Sequence, residues 1–90
     1  MKKRIKILAD LNFKSFINLF TPFADIEFIE GRLIERKYLA GANALLVRSV
    51  TEVNKELIDG SELKFIGTAT SGVEHVDQKA LAEAGILFSN

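Results

Sequence analysis

Apolar runs separated by short polar segments divide this chain into alternating predicted strands and helices. Five segments have the β-branched, apolar or alternating composition that is typical of strands. The third of them is continuously apolar from Ala44 to Val47, as expected of a strand that is covered on both faces. In chain order the five segments read "RIKILAD", "DIEFIE", "ALLVRS", "LKFIGTAT" and "ILFS".

The segments between the strands predict helices. An aromatic stripe at helical spacing predicts the first helix, which Asn12 can cap and which ends before Pro22. The stripe consists of Phe13, Phe16, Ile17 and Phe20. A short helical stretch ends near Gly41, and two further helices begin after the cap residues Asn54 and Asp77.

This alternation of strands and helices predicts an α/β fold. We expect a flavodoxin-like open parallel five-stranded sheet with strand order 2-1-3-4-5 and helices on both faces. In such sheets ligands bind beyond the carboxyl ends of the strands, where the strand order reverses. Here that crevice lies between strands one and three.

Three polar segments follow strongly apolar strands and are therefore expected to converge at this crevice. They are residues 10–12 after strand one, 48–51 after strand three and 68–72 after strand four. Apart from Asp10, these segments contain no evident proton-transfer group. The segments look suited to holding a substrate and not to reacting with it.

The composition of these segments suits an anionic ligand. Arg48 can pair with a carboxylate or phosphate in bidentate fashion. Gly72 permits backbone angles at which successive amide groups form an anion-binding nest. Hydroxyl donors are supplied by Ser49, Thr68, Thr70 and Ser71.

Structural roles for the same residues remain open at this point. Thr51 and Thr68 can be ordinary turn residues, Arg48 can form a surface ion pair, and Asp10 can cap the first helix. His75, the only histidine, has no nucleophile or carboxylate relay around it in sequence, which favours a structural role. The spacing of Glu74, His75 and Asp77 matches no standard metal site, so we expect no metal.

Composition narrows the possible functions further. Lysine plus arginine and aspartate plus glutamate number 12 each, which gives no reason to expect nucleic acid or an anionic membrane as partner. Cysteine is absent, which excludes disulfides and thiolate chemistry.

No apolar stretch has the length of a membrane span and no signal peptide is evident, so we expect a cytoplasmic protein. Neither G-x-G-x-x-G nor a P-loop occurs in the 90 residues, so no dinucleotide or triphosphate cradle is predicted in them.

Two stretches resemble a specific family. "NALLVRSVTEVNKELI" and "LKFIGTATSGVEHVDQKALAEAGILFSN" are similar to the N-terminal region of the erythronate-4-phosphate dehydrogenases, a branch of the D-isomer-specific 2-hydroxyacid dehydrogenases. The resemblance covers essentially the whole chain and is weakest between about residues 13 and 37. The family pattern often has Asp at the positions of Asn43 and Glu74.

The resemblance implies an enzyme of two domains that oxidises 4-phospho-D-erythronate with NAD in pyridoxal 5′-phosphate biosynthesis. Residues 1–90 would be part of the substrate domain, with the NAD-binding Rossmann domain in later sequence and a homodimer as the full enzyme. Matching positions assign substrate binding to Ser49 and Thr70. Arg48 and Gly72 are our additions to that substrate site. The family's catalytic Arg, Glu and His lie in later sequence, so we expect no catalytic or cofactor-binding residue here and no turnover by this chain alone.

Two other interpretations remain beside the dehydrogenase. The chain can be a stand-alone flavodoxin-like module or fragment with no strong ligand, which its neutral charge and modest length fit equally well. A phospho-receiver domain of similar topology is less well supported, because it would need an aspartate at the end of strand three, where this chain has Arg48 and Ser49.

Overall fold

The computed structural model describes residues 5–14, 24–68 and 72–89. Five strands form one sheet in the order β2-β1-β3-β4-β5, and every neighbouring pair is parallel. This confirms the predicted flavodoxin-like order. The strands are β1 (Ile5–Asp10), β2 (Ala24–Ile29), β3 (Ala44–Val47), β4 (Phe65–Thr68) and β5 (Leu87–Ser89).

Two short α-helices, α1 (Lys55–Ile58) and α2 (Gln78–Glu83), follow β3 and β4. Both predicted caps are confirmed. The Asn54 side-chain oxygen accepts a hydrogen bond from Leu57 N at 2.9 Å, and the Asp77 carboxylate accepts one from Ala80 N at 3.0 Å. Within the described residues no helix has both the length and the apolar character that a membrane span requires.

Helical turns of the 3₁₀ type lie in the described parts of the connections. They span Leu11–Phe13, Gly31–Leu33 and Arg36–Leu39. The last two lie in the segment predicted as a loop followed by a short helical stretch. Gly41, the predicted end of that stretch, has a positive φ of 76°, a conformation that glycine adopts without steric cost.

The first predicted helix is described only at its beginning, because residues 15–23 lie outside the described part of the chain. The aromatic stripe beyond Phe13 therefore stays a prediction. Of the two cap candidates for this helix, the structure supports Asp10, and the cap role predicted for Asn12 was wrong. The Asp10 carboxylate accepts a hydrogen bond from Asn12 N at 2.9 Å and so caps the turn Leu11–Phe13, whereas Asn12 lies inside that turn. Asp10 is the last residue of β1 and lies two residues before Asn12, so its carboxylate reaches the backbone amide of Asn12.

The hydrophobic core lies against one face of the sheet. Register aligns Leu8, Leu45 and Ile66 across three strands, and all three are fully buried. Helix α1 contacts both α2 and the turn Arg36–Leu39, so these elements cover that face together. The elements that cover the core face contribute Ile34, Leu39, Leu57, Ile58, Ala80 and Leu81. The helix predicted for the opposite face would fall largely on residues 15–23, outside the described part.

A parallel bridge between Val53 and Val76 joins the segments that follow β3 and β4. Val53 N donates to His75 O at 2.7 Å, and Asp77 N donates to Val53 O at 2.8 Å. The bridge holds the two segments side by side just past the strand ends. It therefore fixes the spacing between the segments that follow β3 and β4.

Candidate functional site

An ion pair crosses the predicted crevice between β1 and β3. Arg48 Nε lies 3.0 Å from Asp10 Oδ1. Asp10 is the last residue of β1, and Arg48 directly follows β3, which is the neighbour of β1 in the sheet. The Asp10 side chain is 1% exposed and the Arg48 side chain 30% exposed. A carboxylate so fully buried is tolerated in a folded protein when it is paired and hydrogen-bonded. Residues 10–12 and 48 therefore meet, as the strand pattern predicted.

The Asp10 carboxylate is packed beneath Gly31. A Cβ built on Gly31 would overlap Asp10 Oδ2 and would lie 2.8 Å from Val50 Cγ2, so only glycine fits here without displacement. Oδ2 is buried and has no hydrogen-bond partner among the described residues. The close approach of the chain after β2 thus seals one side of the carboxylate. Its other oxygen is left to hold Arg48.

A second carboxylate approaches the same guanidinium. Glu30 Oε1 lies 3.9 Å from Arg48 Nη2 and 3.7 Å from Arg32 Nη1. Its other oxygen accepts a hydrogen bond from Arg32 N at 2.9 Å. Unlike Asp10, Glu30 has a half-exposed side chain, with 42% of its area accessible. The two acids therefore contact Arg48 from very different environments.

Asn12 lies against the Arg48 guanidinium. The amide is best oriented with its oxygen toward Arg48, at 2.6 Å from Nε, 3.0 Å from Nη1 and 3.2 Å from Nη2. In this orientation the amide oxygen faces donors and not other acceptors. Asn12 therefore contributes to the site through Arg48, a role that was not predicted from the sequence.

Thr51 has a structural role. Its hydroxyl is buried and donates a hydrogen bond to Gly31 O at 2.8 Å, and its amide donates to Arg48 O at 3.1 Å. The first bond ties the segment after β3 to the segment after β2. Thr51 thereby holds Gly31 over Asp10, which supports a structural role for this residue, although its hydroxyl bonds a neighbouring segment and does not cap its own turn.

Ser49 directly follows Arg48 and is exposed at the strand end. Its side chain is accessible to solvent, and its substrate role stays a prediction. Thr70 and Ser71, with Ala69, lie outside the described residues. Gly72 is described, and a Cβ there would lie 2.7 Å from the Glu74 carboxylate. The nest expected around Gly72 depends on residues 69–71 and also stays a prediction.

His75 lies next to Thr68, the last residue of β4. Thr68 is buried, and its hydroxyl oxygen lies 3.3 Å from His75 Nε2. The backbone carbonyl of His75 accepts the bond from Val53. These contacts support the structural role that the sequence favoured for His75. The Asp77 carboxylate is engaged as the cap of α2, so Glu74, His75 and Asp77 serve separate local contacts.

Sequence reasoning missed Glu30 and Gly31. The acid was assigned to the end of the second strand, and the glycine was given no role in the site. The available signal was the pair "EG" directly after an apolar strand, at the same end of the sheet as the other polar segments. A glycine there permits close approach of the backbone, which is the role that Gly31 has.

An open parallel sheet with the strand order 2-1-3-4-5, and with polar side chains gathered where that order reverses, defines an α/β domain of the flavodoxin-like class. The chain belongs to the D-isomer specific 2-hydroxyacid dehydrogenase family, because the model of that family's catalytic domain matches residues 6–90.

Curated relatives are similar over nearly the whole chain. Erythronate-4-phosphate dehydrogenase of Sodalis glossinidius is 51% identical over 85 residues, which is 94% of this chain and 22% of that protein. The enzyme of the same name from Pectobacterium carotovorum is 48% identical, with the same coverage of 94% and 22%. The chain therefore spans about a fifth of the length of these relatives.

A solved structure supports the fold. NAD⁺-bound 3-phosphoglycerate dehydrogenase of Entamoeba histolytica matches with a TM-score of 0.80 at 20% identity, over 96% of this chain and 32% of that one. At this identity the likeness establishes the fold alone.

Proposed function

We propose that this chain is the substrate-binding portion of an NAD-dependent dehydrogenase that oxidises 4-phospho-D-erythronate at its 2-hydroxyl group. The observation that carries the proposal is the ion pair of Asp10 and Arg48 across neighbouring strand ends, in a family of 2-hydroxyacid dehydrogenases. The names of the relatives at 48% and 51% identity support this particular substrate. They also support a role in pyridoxal 5′-phosphate biosynthesis.

In this proposal the chain holds and orients the substrate. Ser49 and Thr70 donate hydrogen bonds to it, Arg48 pairs with one of its anionic groups, and the backbone at Gly72 adds amide donors. Orientation of this kind can supply a large part of a rate acceleration. The substrate is a small phosphorylated hydroxy acid, which suits a crevice that contains a guanidinium and exposed hydroxyl groups.

The described residues do not fit the cofactor. A dinucleotide needs a glycine-rich turn between a strand and a helix, and no G-x-G-x-x-G occurs in the sequence. We therefore assign NAD binding and the catalytic residues to a Rossmann domain in another part of the enzyme, with residues 1–90 as part of the substrate domain. We expect the complete enzyme to be a cytoplasmic homodimer.

An NMR titration tests the binding proposal. Uniformly ¹⁵N-labelled chain is titrated with 4-phospho-D-erythronate, and amide shifts are expected to cluster at residues 48–51 and 68–72. D-Erythronate without the phosphate serves as the matched control and should bind more weakly. Shifts scattered over the surface, or none at millimolar ligand, would favour a module without a strong ligand.

An activity assay tests the division of labour. The purified 90-residue chain is mixed with NAD and 4-phospho-D-erythronate, and absorbance at the NADH wavelength is followed. We expect no turnover because the catalytic groups are assigned elsewhere. Measurable NADH production by this chain would overturn that assignment.

A further inference from the structure

Two carboxylates compete for one guanidinium at the proposed substrate site. Asp10 contacts Nε of Arg48, and Glu30 approaches Nη2. An anionic substrate cannot pair with the Nε and Nη2 edge of Arg48 in bidentate fashion while both acids keep these positions. One of the acids must therefore give way when the substrate binds at this edge.

Burial decides which acid stays. Asp10 is sealed beneath Gly31, with a side chain that is 1% exposed. Its Oδ1 also accepts the hydrogen bond from Asn12 N, so displacement would leave a buried charge and a free amide. Asp10 is thus a fixed partner that orients the guanidinium.

Glu30 has the opposite properties. Its contact with Nη2 is long, at 3.9 Å, and its side chain is 42% exposed. Exposed ion pairs of this kind contribute little. Arg32 also offers Glu30 a second partner, through the 3.7 Å contact to Nη1 and the 2.9 Å hydrogen bond from its backbone amide. Glu30 can therefore leave Arg48 without becoming an unpaired charge.

We propose that Glu30 occupies the position of the substrate's anionic group at Nη2 of Arg48 and is exchanged for it on binding, while Asp10 holds the guanidinium in place. The inference rests on the proposed function of this crevice as a substrate site. It makes Glu30 a determinant of affinity for anions and Asp10 a positioning residue. Neither role was predicted from the sequence.

The variant Glu30→Gln tests the exchange. It removes the competing charge but keeps an oxygen that can accept from Arg32 N. We expect 4-phospho-D-erythronate to bind about two- to fivefold more tightly, as the loss of one exposed ion pair implies. The matched control is Glu27→Gln, which removes the same charge from β2 where Glu27 pairs with Lys6 at 3.7 Å. Its dissociation constant should stay within about twofold of the wild type.

The variant Asp10→Asn should act in the opposite direction. Loss of the fixed partner frees the guanidinium, and affinity is expected to fall although the net negative charge of the site decreases. A change in general electrostatics alone would raise affinity in Glu30→Gln, Glu27→Gln and Asp10→Asn alike. Folding of each variant is checked by thermal unfolding in the same buffer.

The outcomes separate this inference from the proposed function. Equal affinities for Glu30→Gln and Glu27→Gln, with shifts still centred on residues 48–51, would overturn the exchange and leave the substrate site intact. Absence of binding by the wild type would refute the proposed substrate. In that case the same variants are titrated with inorganic sulfate. We again expect Glu30→Gln to bind the anion more tightly than the wild type and Asp10→Asn to bind it more weakly. A different order of affinities, or no binding of sulfate, would overturn the exchange as well.

Discussion

Nε of Arg48 lies 3.0 Å from Oδ1 of Asp10, and this contact joins the carboxyl ends of two neighbouring parallel strands. It crosses the place where the strand order reverses and where ligands bind in such sheets. The pair therefore serves both stability and the shape of the site.

The substitution Asp10→Asn should destabilise the fold. It keeps the side-chain shape and one acceptor oxygen but removes the buried charge that Arg48 faces. We expect a loss of about 1–3 kcal/mol in the free energy of unfolding, measured by urea denaturation followed by circular dichroism.

The control is the same substitution in an exposed pair. Asp59 lies 3.5 Å from Arg36, with both side chains more than half exposed. Asp59→Asn should change the unfolding free energy by less than about 0.5 kcal/mol. Equal losses in the two variants would mean that burial does not set the strength of the Asp10 pair.

Gly31→Ala should be destabilising for steric reasons. The added methyl group would overlap the Asp10 carboxylate and approach Val50, which calls for a shift of packed atoms. Overpacking of this kind costs about 1–3 kcal/mol. The same denaturation measurement applies.

A double-mutant cycle identifies the cause. When Asp10 is already alanine, Gly31→Ala should cost less than it does in the wild type, because the overlapping oxygen is gone. Gly41→Ala is the contrasting control, since its Cβ would meet nothing within 4 Å and only its positive φ penalises alanine. Additive costs for Asp10 and Gly31 would contradict the packing argument.

Thr51→Val tests whether the hydroxyl group of Thr51 stabilises the fold, because valine has a similar volume but no hydroxyl. The buried Thr51 Oγ1 donates to Gly31 O at 2.8 Å, and valine of similar shape leaves that carbonyl without its donor. We expect a loss of about 1–2 kcal/mol in unfolding free energy. Thr51→Ser keeps the donor, so a serine variant less stable than the valine variant would argue against this bond.

The stability that the caps of α1 and α2 contribute could be predicted from the sequence alone. Asn54→Ala and Asp77→Ala each remove an acceptor for a helix-start amide and should cost about 1 kcal/mol. Asp77→Asn keeps a good capping side chain and should be nearly neutral. Thermal unfolding of the three variants distinguishes these outcomes.

Strand order and helix caps were predictable because they depend on local pattern. Apolar runs mark the strands, and Asn54 and Asp77 stand directly before their helices. The alternation of strand and helix then restricts the sheet to few topologies. The convergence of Asp10 and Arg48 follows from that topology, since both stand at carboxyl ends of adjacent strands.

The contacts of the site with the segment after β2 could not be predicted in this way. Gly31 covers Asp10 only because the chain turns back over the sheet after β2, and no periodicity in the sequence encodes that turn. Asn12 and Asp10 were both cap candidates in the sequence, and only the structure decides between them. Asp10, the last residue of β1, accepts a hydrogen bond from the Asn12 backbone amide. The side-chain amide of Asn12 is therefore left to contact Arg48.

Ser49→Ala is the most direct test of a site residue. Ser49 is exposed at the end of β3, so truncation should change the unfolding free energy by less than about 0.5 kcal/mol. If the hydroxyl binds substrate, the dissociation constant for 4-phospho-D-erythronate should rise about five- to tenfold, as loss of one hydrogen bond implies. Ser89→Ala, at an exposed position on the edge strand β5, is the matched control and should leave both quantities unchanged. An unaltered dissociation constant in Ser49→Ala would remove this residue from the site, whereas a large loss of stability would assign it a structural role.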